Sequence, residues 1–345
     1  MNKKNIILGI VVVALVVLSF LDILPDQAAL QMVLNIGFIV AGFTILIKGA
    51  DIFVENASKI ATKFNIPQMV IGLTIVAFGT SLPEAAVSIK GALSGNAGIS
   101  VGNVIGSNIM NILLILGVAS CIAALQIKKN TFRIEIPFVV FITALLLVLG
   151  IIGEGLSRVD GLILLVFMAI FMIYLVHSAK NGEADDEETV ITEKDTMLRL
   201  LLLVVVGGVC IVLGSNVTVD AASYIAAELG MTPRLIGLTI VAFGTSLPEL
   251  VTSATAAKRG KADIAIGNIV GSNIFNILFV VGVAAVISPI PFEAAFIKDS
   301  IVAIAAAVLL FLCVMKNKKL MRTGGVIMLI CYAVYFAYIL YGNYA

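Results

Sequence analysis

Two glutamates, Glu84 and Glu249, each close the same thirteen-residue string, GLTIVAFGTSLPE, at residues 72–84 and 237–249. The offset is 165 residues, and both copies lie in apolar surroundings. A charged side chain in hydrocarbon costs on the order of 2.5–3.5 kcal/mol on insertion scales. A chain that carries this cost twice, in one context, is expected to use the two carboxylates together. Around each glutamate the apolar run is broken by Gly79, Thr80, Ser81 and Pro83, and again by Gly244, Thr245, Ser246 and Pro248. Proline removes a backbone donor and clashes with the preceding turn. The freed carbonyls must then face protein or a wet cavity, because lipid offers them no donor. Ser81-Leu82-Pro83-Glu84 also reads as a capping box opening a second half-helix.

A second block repeats at the same offset. Residues 102–111, GNVIGSNIMN, match residues 267–276, GNIVGSNIFN. Asn103, Ser107 and Asn111 are spaced i, i+4, i+8, so they form one polar stripe on a helix, and Asn268, Ser272 and Asn276 repeat it. The alternative use of these amides is to bond neighbouring helices. Gly102, Gly106, Gly267 and Gly271 would let helices approach closely.

Each half thus offers one carboxylate, hydroxyls, loose carbonyls and amide oxygens. All are hard donors. Calcium takes about 6–8 oxygens in flexible geometry, and smaller pockets of hydroxyl and carbonyl oxygen suit Na⁺. Neither motif holds cysteine or histidine, which argues against zinc or copper. Two carboxylates would be neutralised by one Ca²⁺. An empty doubly negative site is costly to occlude, so only loaded states should rearrange, which favours obligatory exchange over leak.

The elements that must position these groups follow from composition. Of 345 residues, 61% are hydrophobic and 12% charged, against roughly 25% charged in soluble domains. Eleven apolar spans are expected, near 6–24, 31–57, 68–92, 98–124, 134–152, 158–178, 197–228, 234–257, 262–287, 295–315 and 323–342. They are too long, and lack the alternation, for β-barrel strands. With the N-terminus in the cytoplasm, alternation places seventeen basic residues inside and only Lys90, Arg158, Arg234 and Lys298 outside. The expected organisation is an N-terminal hydrophobic helix over 1–27, with a signal peptide as the alternative, then a five-helix repeat over 28–178. An acidic cytoplasmic linker over 179–196 leads to a second five-helix repeat over 197–345. Five is odd, so the halves enter the membrane from opposite sides, as in secondary transporters with sites near the midplane. The expected fold is an all-α polytopic membrane protein of two inverted repeats, ten core helices plus the N-terminal one.

The paired GTSLPE and GNxxGSNIxN blocks resemble the α-repeats of sodium/calcium exchangers of the cation/calcium antiporter superfamily. The resemblance covers both halves. It implies a central calcium site flanked by sodium sites, read by two long tilted helices that slide past the core. Glu84 and Glu249 would be the main calcium ligands, with backbone carbonyls from Thr80 and Thr245. Sodium sites would draw on Ala77, Ser81, Ser107, Ala242, Thr245, Ser246 and Ser272, sharing both glutamates. Asn111 and Asn276 would line the centre. Several members of the family have Asp where this chain has Asn276, which makes potassium co-transport less expected and leaves the stoichiometry open. The motif favours sodium over proton coupling.

The resulting expectation is an electrogenic antiporter in the cell membrane, exchanging Na⁺ for Ca²⁺ by alternating access, with no resident cofactor and no obligate protein partner. A H⁺/Ca²⁺ antiporter is the alternative in the same class, and a cation channel in another. The inverted repeat argues against the channel, since pores are usually built from rings across subunits. Two glutamates without a nucleophile–base pair give no enzyme site. A net charge of +1 and the lack of a basic patch exclude a nucleic-acid partner. Four dispersed cysteines and one His177 form no metal or disulfide framework. Glu55 and Asp220, also 165 apart, fall on the expected sliding helices. Glu55 reads as an i, i+4 partner of Lys59, or else as part of a cation-attracting mouth. Tyr338, Tyr341 and Tyr344 read as an interfacial anchor.

Overall fold

Two helices far longer than a bilayer requires organise the molecule. In this computed structural model, residues 28–94, 97–153, 155–181, 191–192, 195–231, 240 and 242–344 are described. The expected N-terminal helix lies outside them, as do most of the acidic linker and the start of the second GLTIVAFGTSLPE copy. Helix α1 (Ala28–Phe64) has 37 residues and α7 (Met197–Glu228) has 32. At 1.5 Å per residue these are about 55 and 48 Å long. Both exceed a hydrocarbon core of about 30 Å, so they must tilt. The expected span over 31–57 is therefore only part of α1.

Between them run α2 (Gln68–Thr80), α3 (Leu82–Leu93), α4 (Gly98–Ile122), α5 (Thr131–Ile152) and α6 (Arg158–Asn181). After α7 come α8 (Ala242–Thr245), α9 (Leu247–Lys258), α10 (Ala262–Ile287), α11 (Ala294–Met315) and α12 (Arg322–Tyr344). Shifting α3 by 165 residues lands on α9, and α4, α5 and α6 land within two residues of α10, α11 and α12. Among the described residues, 8 helices are long and apolar enough to cross a membrane, or 9 with the bent pair α2–α3 counted.

The inversion is visible in backbone contacts. A Cβ on Gly214 would fall 2.7 Å from the carbonyl of Gly42, and one on Gly207 would fall 2.9 Å from that of Gly49. Pairing 42 with 214 and 49 with 207 makes α1 and α7 antiparallel. The same glycines are related by the 165 offset, so the seam is self-complementary. Small residues let the two backbones touch where larger ones would hold them apart. Two short bridges tie the halves at opposite ends: Leu125 pairs antiparallel with Leu320, and Gly155 with Pro291.

Helices α4 and α10 form the centre and are buried over most of their length, whereas α6, α7 and α12 turn apolar side chains such as Ile173, Val205 and Val334 outward. An outer surface this apolar is suited to lipid. In α10, Gly267 and Gly271 serve the expected close approach, meeting the backbone of α2 at Gly72 and Leu73. Among the described residues their counterparts in α4 show no such approach: a Cβ on Gly106 would meet nothing within 4 Å, and one on Gly102 would meet only Phe296.

Candidate cation site between the two halves

The proline in each GTSLPE motif breaks its helix as expected. Between α2 and α3 the axis bends by 52°. Pro83 occupies the first turn of α3 and Pro248 that of α9, where a missing N–H is tolerated. Ser81 and Ser246 sit at the two N-cap positions, yet neither makes a side-chain cap bond. The capping-box reading is thus incorrect. Ser81 Oγ instead donates to Glu249 Oε1 at 2.9 Å, and Ser246 Oγ donates to Glu84 Oε1 at 3.2 Å. Each serine has left its own helix end for the carboxylate of the other half.

Both glutamates are fully buried, and each is held by a serine of the opposite half. Behind them stand braces that repeat across the two halves. Asn103 Nδ2 donates to the carbonyl of Glu84 at 3.3 Å and to Ser88 Oγ at 3.0 Å. Asn268 Nδ2 donates to the carbonyl of Glu249 at 3.4 Å and to Ser253 Oγ at 2.9 Å. Thr80 Oγ1 adds a bond to Asn268 Oδ1 at 2.9 Å. The amide nitrogens of Asn103 and Asn268 therefore pin the turns that carry the carboxylates.

Where α4 and α10 cross, four asparagines interlock. Asn111 Nδ2 donates to Asn273 Oδ1 at 2.9 Å, and Asn276 Nδ2 to Asn108 Oδ1 at 3.2 Å. Asn108 and Asn273 also donate to each other's backbone carbonyls at 3.1 and 3.3 Å. The i, i+4, i+8 stripe omits Asn108 and Asn273. Their signal was in the repeated block itself, since each precedes Asn111 or Asn276 by three residues and shares that helix face. Directly after Asn111 and Asn276 both helices widen into a π-turn, Asn111–Leu116 and Asn276–Val281, a feature often found at functional positions.

The remaining expected residues fall around this centre. The carbonyl of Ala77 accepts from Thr80 Oγ1 at 3.3 Å and from Ser272 Oγ at 3.5 Å. Ser107 Oγ receives Ser246 Oγ at 3.4 Å. Ala242 and Thr245 lie in α8, seven and four residues before Glu249. Glu55 does pair with Lys59, at 3.1 Å, but it also meets Arg259, at 3.2 Å.

The bonds leave a particular remainder. Glu84 Oε2, Glu249 Oε2, Asn111 Oδ1 and Asn276 Oδ1 are buried without any hydrogen-bond partner. Nine such side-chain atoms occur among the described residues, and these four form two symmetry-related pairs, all of them acceptors. A buried acceptor left unpaired costs about 1–3 kcal/mol, so four in one symmetric set call for a positive charge. The set contains oxygen only. Such donors suit Ca²⁺ and Na⁺ and do not suit metals that prefer nitrogen or sulfur. An inverted repeat enclosing an oxygen-lined, doubly acidic centre defines a secondary cation transporter.

Comparison with known proteins gives the family. The sodium/calcium exchanger protein family matches residues 34–177 and 199–341, and the chain belongs to it. It is a multi-pass integral membrane transporter that exchanges cations for Ca²⁺, not an enzyme. CaxA of Alkalimonas amylolytica, provisionally described as an antiporter, is 39% identical over 297 residues, covering 84% of this chain and 92% of that protein. The sodium/calcium exchanger MaX1 of Methanosarcina acetivorans is 29% identical over 345 residues, with 89% and 99% covered. The solved structure of the sodium-calcium exchanger NCX_Mj, soaked with Na⁺ and without Ca²⁺, superposes with a TM-score of 0.77 at 36% identity, covering 89% of this chain and 99% of that one.

Proposed function

We propose that the protein exchanges Na⁺ for Ca²⁺ by alternating access, with Glu84 and Glu249 as the shared carboxylate ligands. The observation that carries this reading is the set of four unpartnered acceptor oxygens on Glu84, Glu249, Asn111 and Asn276. One Ca²⁺ neutralises the two carboxylates and draws on the amide oxygens. The carbonyls of Thr80 and Thr245 complete the calcium site, and Ala77, Ser81, Ser107, Ala242, Thr245, Ser246 and Ser272 supply flanking Na⁺ pockets. Asn103 and Asn268 act there as braces. A bare pair of buried carboxylates resists occlusion, so the empty carrier does not cross and exchange is obligatory. If more than two Na⁺ replace one Ca²⁺, each cycle moves net charge, worth ~2.3 kcal/mol per elementary charge per 100 mV. The inside excess of basic residues supports an orientation in the cell membrane with Lys59, Lys63, Lys128 and Arg259 on the cytoplasmic side. During the cycle α1 and α7 move together against the core.

Proton coupling is the second reading, because two carboxylates can equally be neutralised by two protons. Uptake of ⁴⁵Ca²⁺ into Na⁺-loaded proteoliposomes at clamped potential separates the two. Uptake that requires internal Na⁺ and grows with inside-positive potential supports the sodium reading. Uptake that ignores Na⁺ and follows an imposed pH gradient replaces it with the proton reading.

A further inference from the structure

Outside the site, a cluster of charges at one end of α1 departs from the internal symmetry. Arg259 follows α9, the helix that carries Glu249. Its Nε donates to Asp51 Oδ1 at 3.1 Å, its Nη2 lies 3.0 Å from the same oxygen, and its Nη1 lies 3.2 Å from Glu55 Oε2. Asp51 and Glu55 are one turn apart on α1. Lys59 holds the other oxygen of Glu55 at 3.1 Å and reaches Asp195 at 3.5 Å, while Lys63 donates to the carbonyl of Asp195 at 2.8 Å. The core helix α9, the long helix α1 and the residue leading into α7 are thereby joined.

The 165 offset shows what stands at the opposite end. Ser94 replaces Arg259, Asn216 replaces Asp51, Asp220 replaces Glu55 and Tyr224 replaces Lys59. Ser94 Oγ turns back to the carbonyl of Lys90 in its own helix. The packing differs in the same sense. Helix α9 lies along α1, whereas among the described residues α3 makes no comparable contact with α7. At that second end a half-enclosed cavity of about 610 Å³ opens between α1, α4, α7 and α12 and reaches Asn103 and Ser107. Among the described residues, the ion pairs gather at one end of the site and the cavity opens at the other.

We propose that Arg259 is a positioning residue for transport: its bonds to Asp51 and Glu55 latch the cytoplasmic end and set the resting protein toward opening on the outside. The inference rests on the proposed motion of α1 and α7 against the core, and not on which ions are carried. A contact made in one state and lost in the other shifts the equilibrium by its differential free energy. The three side chains are 34%, 34% and 44% exposed, so the latch is modest in size and screened by salt.

The test uses the full chain and three forms: wild type, Arg259→Gln, and the charge exchange Arg259→Asp with Asp51→Arg. Hydrogen–deuterium exchange of the purified protein is followed at both ends of α1. In Arg259→Gln, protection should fall near residues 51–63 and rise near the Ala28 end, and the charge exchange should restore the wild-type pattern. In proteoliposomes of known orientation, the ratio of apparent Ca²⁺ affinities from the two sides should move by about three- to ten-fold toward the cytoplasmic side, the range open to a partly exposed ion-pair network. High salt should bring wild type toward the variant. Lower protection near residues 51–63 alone, with an unchanged affinity ratio, would reduce Arg259 to a local structural contact and overturn the proposal. The exchange readout needs no transport, so it stands or falls separately from the sodium reading.

Discussion

At the scale of single residues, two kinds of polar group occupy the centre. Asn103, Asn268, Asn108 and Asn273 spend their bonds on the protein, while Glu84, Glu249, Asn111 and Asn276 each keep an oxygen unbonded. Sequence pattern found the second kind because a buried carboxylate stands out against 61% hydrophobic residues. It misjudged Ser81, whose position in S-x-x-E is the same in a capping box and in a cross-repeat bond to Glu249. Only the three-dimensional neighbour decides between them, and no local spacing records it. Asn108 offers a direct test of the brace. Asn108→Ala removes the partner of Asn276 Nδ2 and of the Asn273 carbonyl. The expected loss is about 1–3 kcal/mol of stability. Thermal unfolding should therefore shift down, and added Ca²⁺ should raise the melting temperature by less than it does in wild type, because Asn276 loses the bond that orients it.

At the scale of elements, the broken helices were legible from Pro83 and Pro248, and the central helices from their repeated glycine and asparagine blocks. The length of α1 was not, because the apolar span reads as ending at 57, just before Lys59 and Lys63, although the helix runs on to Phe64. The charges of Asp51, Glu55 and Lys59 are satisfied by one another and by Arg259, which lets the helix continue. Nor was the glycine seam between α1 and α7 legible, since Gly42 and Gly49 look like ordinary small residues until Gly214 and Gly207 lie against them. Gly214→Ala would place a methyl group 2.7 Å from the Gly42 carbonyl and from Leu46 N. Backbone cannot yield cheaply there, so a loss of about 1–3 kcal/mol is expected, as for overpacking. Gly106→Ala meets nothing within 4 Å among the described residues and should be close to neutral in stability. Paired melting curves in the same detergent check both values.

At the scale of the whole molecule, the duplication explains why one site forms from two distant motifs. Inversion brings each serine to the other half's carboxylate, and the two asparagine pairs close the crossing of α4 and α10. The architecture was legible because an odd number of helices per repeat forces the inversion. The difference between the ends was not, because it depends on which contacts are made in one state. The linker end takes part through Asp195, whose carboxyl is held below its ordinary value by the backbone N–H and hydroxyl of Thr192, with Lys59 adding to this. A depressed carboxylate contributes its stabilisation above the unfolded value of about 3.9, and loses it only as pH falls through the lower folded value. The tie to Lys59 should thus persist through mild acid. Asp195→Asn should leave the shape of the transport–pH profile between about pH 5 and 8 unchanged, as read by ⁴⁵Ca²⁺ uptake across that range.

The central claim is that Glu84 and Glu249 share one calcium ion between the halves. Equilibrium ⁴⁵Ca²⁺ binding to the purified wild type, Glu84→Gln and Glu249→Gln, each shown to be folded by thermal unfolding, tests it most directly. The expected result is one saturable site in the wild type and at least a roughly hundredfold weaker one in either variant, since each loses a charge-assisted ligand in a buried setting. Wild-type affinity retained in either folded variant would contradict the shared two-carboxylate site.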